Sequence, residues 1–107
     1  MTVKIKSLSD GQLAATKGTL YTAPAATQTI IKSITLVNTN TTAETVNLYF
    51  TASGGTSRRI IPKNTSLPAG ALLVMDNEVT LEAADIIEGD STTTSVTDFV
   101  ISGVENS

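Results

Sequence analysis

One residue in three of this 107-residue chain is β-branched: nineteen Thr, nine Ile and eight Val. A side chain that forks at Cβ loses rotamer freedom on a helix but packs well on a pleated surface, so this composition steers the backbone towards strands. Clusters of Gly, Pro, Asn, Asp and Ser interrupt the β-rich runs at intervals of roughly 8 to 15 residues, the rhythm of a sandwich or barrel. No repeat period is evident. A chain of this length suits one domain, residues 1–107, with a single core.

The strand pattern can be followed along the chain. Residues 2–7 alternate Val3 and Ile5 with Lys4 and Lys6. This reads as an edge strand with the apolar side chains inward and the lysines outward. Residues 1–8 are thus an edge strand or an arm, punctuated by Ser9-Asp10-Gly11. Residues 12–17 allow at most one helical turn before Gly18, and a short strand spans residues 19–23. Residues 27–38 form the strongest strand, with Ile30, Ile34 and Leu36 on one face and Ile31, Ser33, Thr35 and Val37 on the other. Residues 44–52 alternate Val46, Leu48 and Phe50 inward with Asn47, Tyr49 and Thr51 outward. The polar loop between these two strands predicts a hairpin at the centre of the fold.

Short strands are predicted at 57–61, 71–75 and 78–81, with residues 63–70 as a loop. A strand end falls near Ile86-Ile87, and residues 89–95 read as a Ser/Thr loop. The final strand, residues 96–104, places Phe99 and Ile101 opposite Val96, Val100 and Val104. The expected architecture is all-β, one antiparallel β-sandwich of about eight short strands, with a jelly roll as one way of linking them. Tyr21, Tyr49, Phe50 and Phe99 are the only aromatics, so the core must be built from Ile, Leu and Val.

The chain has no Cys and no His. That removes disulfides, thiolate ligands and a thiol nucleophile, together with the commonest metal ligand and the usual general base. Ser, Thr and Lys occur without the elbow or spacing that activates them. Gly54-Gly55 near Arg58 and Arg59 lacks the Lys-Ser/Thr of a phosphate loop and lies between strands, so it reads as a turn. Asp76 and Glu78 stand two apart and would share a strand face, and Asp85, Glu88 and Asp90 form a second acidic group. Neither follows a calcium-loop pattern, so solvated acids are the ordinary reading and a weak calcium site the alternative. No catalytic, cofactor or metal residue is assigned, and no enzymatic activity is expected.

Charge is distributed unevenly. Residues 1–63 carry all seven bases and two acids, a net +5, whereas residues 64–107 carry eight acids and no base, a net −8. Either the halves interleave and neutralise, or each subunit is polar and neighbours dock basic face to acidic face. The net charge of −3 argues against nucleic-acid binding. The longest apolar run, residues 71–75, is far too short for a membrane span. The first residues lack the apolar run of a signal peptide, so a soluble chain is expected.

Several stretches resemble small structural virion proteins of tailed bacteriophages. They are Val3-Lys4-Ile5-Lys6-Ser7-Leu8, Gly18-Thr19-Leu20-Tyr21-Thr22-Ala23-Pro24, and Ile31 through Asn38 with Val46-Asn47-Leu48-Tyr49. Arg59-Ile60-Ile61-Pro62-Lys63, Leu81 through Gly89 and Ile101-Ser102-Gly103-Val104-Glu105 belong to the same set. Together they cover nearly the whole chain, but they mark strands and turns, not a reactive site. The resemblance implies a virion location and a role as a capsid decoration or cement protein on the head, or as a neck, tail or baseplate accessory. It also implies a homo-oligomer, with a trimer favoured, bound to the major capsid protein or other virion proteins. The candidate contact residues are Lys4, Lys6, Arg58, Arg59 and Lys63, facing acids on the shell or a neighbour's Asp76, Glu78 and Asp85. A carbohydrate-binding or adhesive module is the competing reading, with Tyr21 and Tyr49 as the only aromatics placed to stack on sugar.

Overall fold

The computed structural model describes residues 2–107. Ten strands follow one another: β1 (Val3–Gln12), β2 (Gly18–Thr22), β3 (Gln28–Asn38), β4 (Glu44–Thr51), β5 (Arg58–Arg59), β6 (Thr65–Leu67), β7 (Leu72–Met75), β8 (Val79–Leu81), β9 (Ile86–Ser91) and β10 (Thr97–Asn106). They form two antiparallel sheets. In the first the order is β1-β10-β3-β7, with β8 continuing the line of β7 along β3; in the second it is β2-β9-β4-β5, with β6 continuing the line of β5 along β4. Each split pair fills one position, so ten strands occupy eight places in two four-place sheets. The chain passes back and forth between the layers, which is jelly-roll connectivity.

The predicted hairpin between residues 27–38 and 44–52 does not form. β3 pairs with β10, β7 and β8, and β4 pairs with β9, β5 and β6. The intervening loop is instead a crossover between layers, and Asn38 holds it. Its fully buried side-chain amide donates to the carbonyls of Thr42 (2.9 Å), Leu67 (3.0 Å) and Pro68 (3.3 Å). Its Oδ1 accepts from the Asn40 N–H at 2.8 Å, an Asx turn that redirects the backbone.

Two bulges reverse faces that simple alternation would assign. In β3 the register with β10 slips so that Lys32 is the extra residue. Ile31, Ile34 and Leu36 therefore face the core, and Ile30 faces out, the reverse of the expected pairing of Ile30 with Ile34. In β1 the slip falls at Leu8. The strand runs straight through Ser9-Asp10-Gly11, which was expected to be a turn. Val3 and Ile5 point outward and are 61% and 90% exposed, so the inward placement expected for them is wrong. Lys4 and Lys6 take the inner side because Glu105 lies directly across from Lys4 and bonds Lys6 at 3.1 Å. Two further segments differ: β6 lies within the expected 63–70 loop, and β9 extends to Ser91.

Between the sheets lies an aliphatic core of Leu13, Ile31, Ile34, Leu36, Val46, Leu48, Leu81, Ile87 and Ile101, all fully buried, with Phe99 at one end. Each such side chain contributes about 1.5–3 kcal/mol by leaving water, so a core nearly without aromatics suffices.

Candidate interaction surfaces

A sandwich has two outer faces, and here they differ. Residues directly opposite in register point to the same face, so the pairings identify each face row by row. On the first sheet, Ile5, Val104, Ile30 and Thr80 form one outward row across four strands. Ser7, Ser102 and Ser33 form the next row, and Asp10, Val100, Thr35 and Val74 a third. Gln12, Asp98, Val37 and Leu72 complete the face. Among the described residues all six exposed large hydrophobics, Val3, Ile5, Ile30, Leu72, Val74 and Val100, lie on this one side. Scattered exposed apolar residues are ordinary, whereas here they gather on one face.

The outer face of the second sheet is polar and internally bonded. The row Thr19, Glu88, Tyr49 and Arg59 runs across it. The Tyr49 hydroxyl donates to Asp90 at 2.9 Å, and the Asn47 amide donates to Asp90 at 2.7 Å and to Asn64 at 3.1 Å. Arg59 Nη1 donates to Asn47 Oδ1 at 2.6 Å. The ammonium of Lys17 and the guanidinium of Arg59 both lie over the Tyr49 ring, 4.7 Å and 5.0 Å from its centroid. Burial and the bond to Asp90 push the Tyr49 hydroxyl above its ordinary range. The burial of Asn47 and Tyr49 on an outward face is not legible in alternation, which does not reveal that Lys17 and Arg59 cover Tyr49 or that Arg59 bonds Asn47.

The expected contact residues are dispersed. Lys6 is bonded to Glu105, and Lys32 to Glu78, the only two ion pairs among the described residues. Arg58, Arg59 and Lys63 are exposed at the β4–β5 edge of the second sheet. Asp76 and Glu78 are exposed in the turn between β7 and β8, at the edge of the first sheet. Asp85 is buried and accepts the backbone N–H groups of Ser53 and Glu82, both at 2.9 Å, so within the chain it caps turns. Among the described residues no group of three or more acids converges to hold a metal ion. A cleft of about 330 Å³ opens between the edges of β1 and β2, lined by Ser9, Asp10, Gln12, Leu20 and Phe99. Among the described residues no helix is long and apolar enough to cross a membrane.

Two carboxylates, the buried Glu44 and the half-buried Glu105, bond residues distant in sequence. Glu44 accepts from the Thr93 N–H (2.7 Å), the Thr93 hydroxyl (2.9 Å) and the Asn40 amide (3.3 Å). Burial opposes its ionisation, but these bonds outweigh burial and hold the carboxyl below its ordinary value of 4.5. Glu105 is held down first by the Tyr21 hydroxyl at 2.6 Å, against burial, with Lys6 and Lys4 assisting. Both groups bind protons more weakly folded than unfolded, so their stabilisation is complete above pH ~4.5 and is lost as pH falls below it. The urea midpoint is therefore expected to fall as pH drops from 5 towards 2.5, and less steeply in an E44Q/E105Q variant. Parallel profiles for the two proteins would contradict this assignment.

No family model matches the chain, and no curated protein matches it in sequence. Solved structures do match in fold. A pilus protein of Bacillus endospore appendages superposes with a TM-score of 0.60 at 19% identity, over 99% of this chain and 88% of that one. The Drosophila NLP core gives 0.53 at 14% identity, over 92% and 98%. A protein from the capsid of Helicobacter pylori bacteriophage KHP30 gives 0.52 at 11% identity, over 97% and 92%. At these identities the likeness defines the fold: this chain has a jelly roll of the kind found in capsid, pilus and pentameric assemblies. The Bacillus pili are disulfide-linked, a linkage that a chain without cysteine cannot make.

Proposed function

We propose that this chain is a non-enzymatic structural protein of a virion, a single sandwich domain that decorates and cements the bacteriophage head. The observation that carries the reading is the contrast between the two faces: an apolar outer sheet face on a jelly roll shared with a phage capsid protein. Such a face needs a partner in water, and a repeated lattice multiplies weak contacts by avidity. Arg58 and Lys63 are the cations best placed for a neighbouring shell, because both are exposed and neither is ion-paired within the chain. A neck, tail or baseplate position uses the same surfaces at lower copy number. The trimer rests on the sequence resemblance alone, since the Drosophila protein's core forms pentamers on this fold. The sugar-binding reading loses support, because Tyr21 and Tyr49 are both buried.

The test is rebinding to phage particles made without this chain. Wild-type protein is expected to bind saturably, and an R58E/K63E variant roughly tenfold more weakly, with circular dichroism unchanged. Unaltered binding by that variant would remove Arg58 and Lys63 from the contact. Failure of wild-type protein to bind any particle would overturn the head-decoration reading.

A further inference from the structure

We propose that the apolar outer face of the first sheet docks head to tail on the cationic outer face of the second sheet of another copy of this chain. The proposal rests on the structural reading above and names the partner of that face.

The two faces are complementary in charge. The apolar face is rimmed by Asp10, Asp98, Glu78 and Glu82, and its one cation, Lys32, is already bonded to Glu78. On the opposite side of the sandwich, Lys17 and Arg59 sit over Tyr49. Lys63 adjoins Asn64, which donates its N–H to Asn47, whereas Arg58, opposite the inward Phe50, lies at the edge and not on this face. Against these three cations stand Glu88 and Asp90, so the face keeps a net positive charge, whereas the four acids around the apolar face outnumber Lys32.

Other arrangements of two copies fit less well. Pairing the apolar face with itself would bring two acidic rims together, and like charges across an interface cost affinity. Extending the first sheet edge to edge is opposed at both ends. β1 carries Lys4, Lys6 and a bulge, and the other edge is split into the short strands β7 and β8. A face within the molecule's 45 × 27 Å outline has room for the roughly 800 Å² per partner of a standard interface. Because the docking patches lie on opposite sides of one subunit, the contact is heterologous and builds a ring or an open stack.

Sedimentation velocity on the purified full-length chain over a wide concentration range tests this. The wild-type mass is expected to rise with concentration beyond one chain. Val74→Glu on the apolar face, K17E/K63E on the cationic face and D10K/D98K on the acidic rim should each weaken self-association roughly tenfold. Mixing the K17E/K63E and D10K/D98K proteins should restore assembly, because each supplies the complement of the other. All substituted positions are exposed, and Leu72→Lys replaces Val74→Glu if that variant misfolds. A wild-type chain that stays monomeric throughout, or a mixture no better than its components, overturns the proposal. Particle rebinding would then still stand or fall separately.

Discussion

Replacing Gly103 with alanine is expected to unfold the protein or to cost about 4 kcal/mol or more, at the extreme of single substitutions. Gly103 lies in β10 opposite Ile31, at the point where the register with β3 slips. A Cβ added there would overlap the carbonyl oxygen of Ile30 and lie 2.8 Å from the Leu8 side chain. The obstacle is backbone in the central strand of the first sheet, so no side-chain rotation relieves it. The control is Gly18→Ala, where the added methyl meets only the Thr16 carbonyl at 3.9 Å. Gly18→Ala should shift the urea midpoint by an amount small beside that of Gly103→Ala. Equal effects at the two positions would show that close packing at the bulge does not govern the first sheet.

The second large effect is expected at Asn38. An Asn38→Leu substitution keeps the bulk but strips the donors from the carbonyls of Thr42, Leu67 and Pro68 and the acceptor from the Asn40 N–H. Buried groups left without partners cost about 1–3 kcal/mol each. With partial access to water at the loop, a loss of about 3–4 kcal/mol follows for the whole crossover. An Asn38→Asp variant is informative in another way. Its carboxylate would face three carbonyl oxygens, so its folded pKa is raised, and stability should improve as pH falls through that value, opposite to the wild-type trend. Chemical denaturation at pH 7 and pH 5 checks both variants, and a neutral Asn38→Leu would mean that the loop alone sets the crossover.

These two positions also mark where the sequence stopped being legible. The all-β class and the alternation of β4 and β10 follow directly from residue types, and Phe99 and Ile101 face the core as alternation requires; the count of ten strands does not, since β6 lies in a segment that reads as a loop. Pairing partners do not follow. β3 meets β10 far along the chain, and nothing local distinguishes an Asn-rich hairpin from an Asn-rich crossover. The decisive groups on Asn38 are satisfied by carbonyls of Leu67 and Pro68, distant in sequence. Bulges are similarly hidden. Each inserts one residue and so reverses the faces on one side of it relative to the other, and Val3, Ile5 and Ile30, on the N-terminal side of the two bulges, emerge on the outer face. Periodicity does not reveal the whole apolar surface, because Val3, Ile5 and Ile30 join Leu72, Val74 and Val100 only once the bulges in β1 and β3 are in place.

The charge asymmetry was visible in the sequence, but its disposition was not. With two ion pairs among the described residues, most charged side chains do not neutralise one another within the chain. They are left for solvent or for neighbours, and the basic group at the β4–β5 edge lies away from the acids around the first sheet. That separation gives the head-to-tail contact its direction.

The most direct test of the proposed virion role is quantitative mass spectrometry of highly purified phage particles from infections in which this chain is produced. A structural virion protein should be present in stoichiometric amount, at a fixed ratio to the major capsid protein that persists through repeated banding and salt washing. Absence from the particles, or a ratio that falls with each round of purification, would contradict the account.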